Sequence, residues 1–418
     1  MALAGLVMTY LLIQIGAKIE KQDLETRQEP ITMVVATDLH YLSQKLTDNG
    51  KFFTDMIENA DGKNMVYIEE ITDAFIDKML DIQPEILILS GDLTFNGEKE
   101  SHIALEKKLR KLRKKGIQVL VTTGNHDINR SSAAQFKGDS YVLVDSVTKN
   151  EFANIYQEYG LQQSLHRDDK SLSYIYQARK DLWLLFLDTN SNGDNYLSAD
   201  SLNWVTQMLE EAKSKDIKVL SITHQNVMVH NKNFTEGFLI DNFSQLQKLY
   251  QKYDVIINFS GHIHIQHILS QDFTEIVTSS LAVSPHQYGL IAFDGEKLDY
   301  QSKKLDISAW AKAEQLIDYN LLNFTNLSRD FMVDLAKRKF SDYLPNKEMS
   351  EEDRELSMDT LAQINADYFS GNSVDTTAHE KGIRLLQDYY GGFTSSYLET
   401  ILLEIGRDNH HLSLSITD

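Results

Sequence analysis

"NFSGHIHIQH", residues 258–267, places three of the chain's 13 histidines within ten positions, directly after the apolar run 255–259. A short apolar run bounded by turn residues reads as a buried strand. The histidines therefore stand at a strand's carboxyl end. In extended chain the side chains alternate, so His262 and His264 share a face while Ile263 points away. Neutral imidazole suits transition metals, and the stretch raises the question of where further ligands lie.

Working outward, short apolar runs alternate with helical patterns from Ile31 onward, the signature of α/β architecture with mainly parallel strands. The strand-like runs are "ITMVVAT", "EILILS", "IQVLVTT", "LWLLFLDT", "KVLSIT" and "DVIINFS". Between them, "NMVYIEEITDAFIDKMLD" and "GEKESHIALEKKLRKLRKKG" read as helices, the second ending in clustered Lys and Arg and then Gly116, as a helix C-terminus favours. Residues 135–179 read as an excursion over one end of the sheet, placed where a substrate-facing lid could sit. After the histidines, "EIVTSSLAV", "YGLIAFDG" and "KLDYQSKKL" suggest a closing run of antiparallel strands. From Asp306 the apolar spacing turns helical, which predicts a separate helical domain.

The residues that close each strand-like run form a pattern. "VVATDLH" ends in Asp38 and His40, "LILSGD" in Asp92, "VLVTTGNHD" in Asn125, His126 and Asp127, "LSITH" in His224, and the opening stretch in His262 and His264. In an α/β sheet, ligands gather beyond the carboxyl ends of the strands, so these residues are predicted to converge. Gly91, Gly124 and Gly261 precede a ligand or begin its turn, where the backbone must bend tightly.

The order D-x-H, G-D, G-N-H-D, a strand-ending His and G-H-x-H resembles the calcineurin-like metallophosphoesterase superfamily, over roughly residues 31–305. Within it, "LSGDLTFNGEKESH" is most similar to the cyclic-nucleotide (class III type) phosphodiesterases. The protein Ser/Thr phosphatases carry Asp-Arg-Gly after this motif, where Phe95, Asn96 and Gly97 stand here. The resemblance implies two mixed β-sheets packed as a sandwich flanked by helices, plus a C-terminal all-helical lobe. It implies two metal ions, one held by Asp38, His40, Asp92 and His264, the other by Asp92, Asn125, His224 and His262, with Asp92 bridging. Mn or Fe is the expected pair, and mixed N/O ligation also admits Zn. Paired ions activate a water and clamp an in-line displacement, so a bridging hydroxide is the expected nucleophile. No G-x-S-x-G elbow offers a serine route. His126 is expected to contact the phosphate and protonate the leaving alkoxide, with Asp127 orienting its imidazole.

The activity expected from the resemblance is a phosphodiesterase acting on a nucleotide-sized ester such as a cyclic nucleotide. The alternatives are a phosphomonoesterase using the same site and a non-catalytic, metal-stabilised binding scaffold. His267 is expected to be an exposed histidine, with substrate contact as the alternative, and Asp188 a turn cap. His230, His286, His410 and His411 have no supporting context, while Tyr41 and Asn96 are adjacent to ligand motifs and could line a pocket.

Bulk properties bound these readings. At 418 residues the chain exceeds one usual core, and the expected division is 1–30 apolar segment and linker, 31–305 catalytic domain and 306–418 helical domain. Lys plus Arg number 41 against 61 Asp plus Glu, a net charge of −20 that argues against general nucleic-acid binding. The expected partner is a small phosphate ester. With no cysteine, thiolate metal sites, cysteine nucleophiles and disulfides are excluded. Residues 1–17 carry no charged side chain, which reads as a signal or membrane-anchor remnant and an extracytoplasmic protein. A buried first helix on a cytoplasmic protein is the alternative. The sequence does not fix oligomeric state.

Overall fold

The structure is a computed structural model that describes residues 30–193, 195–343 and 349–416. The apolar segment read as a signal or anchor lies outside the described residues. Among those described, no helix is long and apolar enough to cross a membrane.

Two sheets carry the fold. The first has six strands in the order His411–Ser415, Lys297–Lys304, Gln287–Phe293, Ile31–Ala36, Ile86–Leu89 and Gln118–Val121. The second has seven: His267–Ser270, Thr274–Val277, Ile257–Ser260, Lys218–Ile222, Leu182–Phe186, Tyr174–Arg179 and His166–Arg167. Strands buried on both faces read as continuous apolar runs, and Ile86–Leu89 is buried throughout. Ile31–Ala36, Ile86–Leu89 and Gln118–Val121 run parallel, as do Leu182–Phe186, Lys218–Ile222 and Ile257–Ser260. All six strand-like runs of the sequence are therefore strands. Their inward faces, with Val34, Ile88, Leu184, Leu220 and Phe259 among them, form one core.

Helices form where expected. Ile68–Ile82 buries Ile68, Ile71, Phe75 and Met79 on one face and stops at left-handed Gln83, ahead of Pro84. Lys99–Lys114 ends in Lys111, Arg113 and Lys114, and Gly116 takes φ +89° beyond it. The sandwich with flanking helices and a helical C-terminal region thus stands.

Three details differ from the sequence reading. Thr274–Val277 runs parallel to Ile257–Ser260, so the closing strands are not one antiparallel run but are divided between both sheets. The excursion 135–179 supplies a hairpin, Ala134–Lys137 with Ser140–Leu143, and then the edge strands of the second sheet. The tail returns as the strand His411–Ser415, pairing antiparallel with Lys297–Lys304. Its five residues alternate exposed and half-buried, too weak an apolar signal to read against the preceding helices.

The helices Phe324–Tyr343, Glu351–Phe369, Glu380–Tyr389 and Gly392–Leu402 share a core with Ile263, Ile265, Val277 and Val283. Ile263 and Ile265 flank His264, so the lobe packs directly behind the histidine loop. A buried Ile is worth roughly 1.5–3 kcal/mol, which ties that loop to the lobe.

Candidate metal centre

Each site residue lies a few positions beyond the carboxyl end of a strand, as the crevice rule requires. Backbone bonds lock the loops together: Asp38 N–H donates to Gly91 O at 3.1 Å, His40 N–H to Asp92 O at 2.9 Å, and Gly261 N–H to His224 O at 3.0 Å. His262 N–H also donates to Asp38 Oδ2 at 2.9 Å, which brings residues 224 positions apart into contact.

Two groups form. Asp38, His40 and His264 present ligand atoms within 4.8 Å of one another, as do Asp92, His224 and His262. His40 Nε2 lies 3.3 Å from His264 Nε2, and His264 Nε2 lies 3.3 Å from Asp38 Oδ1. Asp92 Oδ2 faces both groups, 3.2 Å from His224 Nε2 and 3.7 Å from His40 Nε2. Asn125 joins the second group, its Oδ1 3.0 Å from His224 Nε2.

The donor chemistry fits a cation. His224 Nδ1 lies 3.0 Å from Ser90 O, and because a carbonyl only accepts, that nitrogen carries the hydrogen. Nε2 then faces Asp92 Oδ2 and Asn125 Oδ1, and in the neutral ring these are three acceptors that a proton or a cation must satisfy. His262 Nε2 donates to Gly237 O at 2.9 Å in the same way, leaving Nδ1 for the site. Asp38 Oδ1 and His40 Nδ1 are buried without hydrogen-bond partners among the described residues. Unpaired buried carboxylates are costly and are normally met by metals or partners.

Electrostatics agree. Burial, reinforced by Lys63, lowers His40 to about 3, and burial with His224 lowers His262 to about 4, so both stay neutral as ligands must. Burial works to raise Asp38, but His264 and His40 beside it hold it well below the carboxylate range. For His224, burial pulls the pKa down and Asp92 more than reverses it, to about 9. The pocket around Asp92 therefore attracts positive charge.

The backbone is strained at the same points. Asp38, His40, Asp92, His262 and His264 all have left-handed φ, between 46° and 71°. Such conformations cost about 1–3 kcal/mol each in non-glycine residues and cluster at functional sites. They also correct the reading of the opening stretch. His262 and His264 are not extended neighbours sharing one face; the left-handed turns send His262 to Asp92 and His264 to Asp38.

The glycines serve a second purpose. Only Gly91 of the three has positive φ, +98°. A Cβ on Gly124 would meet Asp92 Oδ1 at 2.1 Å, and one on Gly261 would meet Thr37 Oγ1 at 2.1 Å. These two admit the ligands at close range.

His126 stands at the edge of the site, its ring perpendicular to that of His40 with centroids 5.1 Å apart. Its Nδ1 lies 2.8 Å from Phe95 O and 3.1 Å from Asn96 Oδ1, so the hydrogen sits on Nδ1 and Nε2 is the atom left for a substrate. Its backbone N–H donates to Asp92 Oδ1 at 2.8 Å. Asp127 does not orient this ring. Its carboxylate accepts from Thr94 N–H at 3.0 Å and Gly124 N–H at 2.7 Å, tying together the loops that carry Asp92 and Asn125. Phe95 and Asn96 do the orienting.

Glu98 closes the same loop, accepting from Asn96 N–H at 3.1 Å. Burial raises its carboxyl from 4.5 to about 7. A raised carboxyl favours the protonated folded state, so the wild type loses stability as pH climbs from about 4.5 through about 7. We expect uncharged Glu98→Gln to gain on wild type across that window, by roughly 2–4 kcal/mol once above it. Thermal melts of metal-loaded protein from pH 4 to 8 check this, and parallel curves would contradict it.

The other singled-out residues are structural. Asp188 accepts from Thr123, Leu172, Asn190 and Ser191 and so caps a turn. His286 is buried between Leu281 O and Ser328 Oγ. Tyr41 donates to Glu69 at 2.6 Å, away from the ligands. His410 contacts Ser302 and His411 contacts Asp408. His267 is buried, not exposed: its Nδ1 lies 2.7 Å from His230 Nδ1 and its Nε2 2.9 Å from Glu404 of the lobe. Sequence reasoning missed Asp61 and Lys63, an ion pair at 2.9 Å whose charges act on His40 and His264. "ADGKN" carries only turn signals.

The calcineurin-like phosphoesterase domain matches residues 31–266. The chain belongs to that family. This phosphoesterase also matches the C-terminal domain of cyclic nucleotide phosphodiesterase over residues 306–408. Among solved structures it is similar to a dimetal phosphatase from Danio rerio, at 12% identity and TM-score 0.49, covering 66% of this chain and 97% of that one. It is also similar to a purple acid phosphatase from yellow lupin, Lupinus luteus, at 14% identity and TM-score 0.42, covering 67% of this chain and 52% of that one. No curated protein matches it.

Proposed function

We propose that this phosphoesterase is a dinuclear metal-dependent phosphodiesterase for a nucleotide-sized ester, a cyclic nucleotide. Asp38, His40 and His264 would hold one ion and Asn125, His224 and His262 the other, with Asp92 facing both groups. The observation that carries the reading is Asp92 Oδ2 facing a ring nitrogen of each group, at 3.2 and 3.7 Å. Mn or Fe suits these N/O donors, with Zn as the alternative. Bound there, two ions would supply charge neutralisation and an activated water.

The chain's own residues do the rest. Asp127 holds the two ligand loops in register. Phe95 O and Asn96 hold the His126 Nδ1–H, so that a second proton, taken up at Nε2 to give the imidazolium, faces the leaving alkoxide and is passed to it, returning the ring to its neutral Nδ1–H form, a role worth about 10²–10⁴-fold.

The observation that favours a diester is the C-terminal match, to a domain named for cyclic nucleotide phosphodiesterase.

The test compares rates on bis-p-nitrophenyl phosphate and p-nitrophenyl phosphate, then on 2′,3′- and 3′,5′-cyclic nucleotides, using metal-loaded full chain. Faster diester cleavage and turnover of one cyclic class are expected. Faster monoester cleavage overturns the reading.

A further inference from the structure

The helix Lys99–Lys114 carries a basic outer face on a chain whose net charge is −20. We infer that this face seats the protein on an anionic phospholipid surface, with the metal crevice opening on the side away from the bilayer. Such seating does not depend on which ester is cleaved.

Lys107, Arg110, Lys111 and Lys114 recur at helical spacing and, with the C-cap Lys115, occupy an arc of about 140°. All of them are exposed. The opposite side is buried, with Leu105, Leu109 and Leu112 in the core. Complementing the helix dipole accounts for basic residues in the last turn only, and Lys107 and Arg110 precede it. Where the helix turns a cation toward the body, that cation is paired: Lys108 with Glu69 and Asp73, and Arg113 with Glu158. Glu106, beside the outer face, is engaged by Arg110. Lys107, Lys111, Lys114 and Lys115 have no ion pair among the described residues.

Topology sets where this face points. The helix leads through Gly116 into Gln118–Val121, where Gln118 aligns with Ile86, and Ile86 with Met33 on the first strand. These strand starts are two strand spacings apart, about 10 Å, so the helix end and residue 30 share one edge of the sheet. The metal ligands lie beyond the opposite, carboxyl ends. Residues 1–17, which carry no charged side chain, join the body at the helix's edge through the linker 18–29. Fully extended, that linker reaches about 40 Å. With the apolar segment in a bilayer, the basic face is within reach of the headgroups, where each Lys or Arg adds about fivefold to binding on an acidic leaflet. Glu85, Asp294 and Glu296 also lie at this edge, so the attraction comes from its helix side. A bilayer answers both the apolar segment and the cations, whereas an acidic protein answers the cations alone.

The test sediments metal-loaded full chain with vesicles of phosphatidylcholine and with vesicles of phosphatidylcholine mixed with phosphatidylglycerol. Wild type is expected to partition at least ~10-fold more strongly onto the mixed vesicles, and raised salt should remove the excess. Lys107→Gln, Lys111→Gln, Lys114→Gln and Lys115→Gln combined should remove the excess without added salt. A charge-matched control, Lys137→Gln, Lys170→Gln, Lys248→Gln and Lys312→Gln combined, should keep it. All the replaced lysines are exposed, so both proteins should melt as wild type does and hydrolyse bis-p-nitrophenyl phosphate at its rate.

Equal partition of wild type onto both vesicle types, or an excess that survives the helix substitutions, overturns the basic face as a lipid contact. An equal loss in the control reduces the attraction to overall charge and overturns it as well. Tighter binding of soluble polyglutamate than of the mixed vesicles makes an acidic protein the occupant and overturns the bilayer. Neutral vesicles read the apolar segment separately, so an excess on mixed vesicles with no binding to neutral ones still supports the face.

Discussion

Asp92→Asn lowers turnover by at least ~10³-fold, because one oxygen of this carboxylate faces both ligand groups. The change keeps the shape of the side chain and the oxygen that accepts from His126 N–H. What disappears is the negative charge between the ions. A fold defect would mimic the loss, and stability separates the two. In metal-free protein Asp92 pairs with His224, so removing its charge should lower the melting point there as well, and it is the gain on adding metal that separates the two explanations. With metal added, wild type should gain stability by ligand linkage and the variant much less. Steady-state rates and paired melts with and without Mn²⁺ check both arms. Retained turnover, or a variant that gains as much from metal as wild type, would contradict the bridging role.

His126→Ala loses about 10²–10⁴-fold in turnover while keeping its metals. The metals stay because the contact from position 126 to Asp92 is a backbone one, at 2.8 Å, which alanine preserves. The size of the loss depends on the leaving group. A ribose alkoxide needs a proton as it departs, whereas p-nitrophenolate departs without one. The loss should therefore be greatest on a cyclic nucleotide and least on a p-nitrophenyl ester. Equal losses on both, or loss of metal, would assign His126 to positioning.

Much of the centre was legible in the sequence because each ligand closes an apolar run, and parallel strands deliver their carboxyl ends to one crevice. Asp38, Asp92, His224 and His262 needed no knowledge of side-chain contacts to be placed together. What could not be read is conformation inside the loops. Residue spacing suggested an extended D-x-H and H-x-H, whereas left-handed φ at Asp38, His40, His262 and His264 gives each its own direction. Asp127 stands next to His126 in sequence, yet adjacent side chains in a tight turn diverge, and its carboxylate turns inward to Thr94 and Gly124.

Longer-range contacts were hidden for another reason. The run Glu275, His230, His267 and Glu404 joins the catalytic domain to the lobe through contacts of 3.2, 2.7 and 2.9 Å. Nothing local marks such a pairing.

The most direct test of the dinuclear centre is anomalous scattering from crystals of the full chain grown with Mn²⁺. Two peaks are expected about 3.5–4 Å apart, one bounded by Asp38, His40 and His264, the other by Asn125, His224 and His262, with Asp92 touching both. A single peak, or Asp92 contacting only one ion, would contradict it.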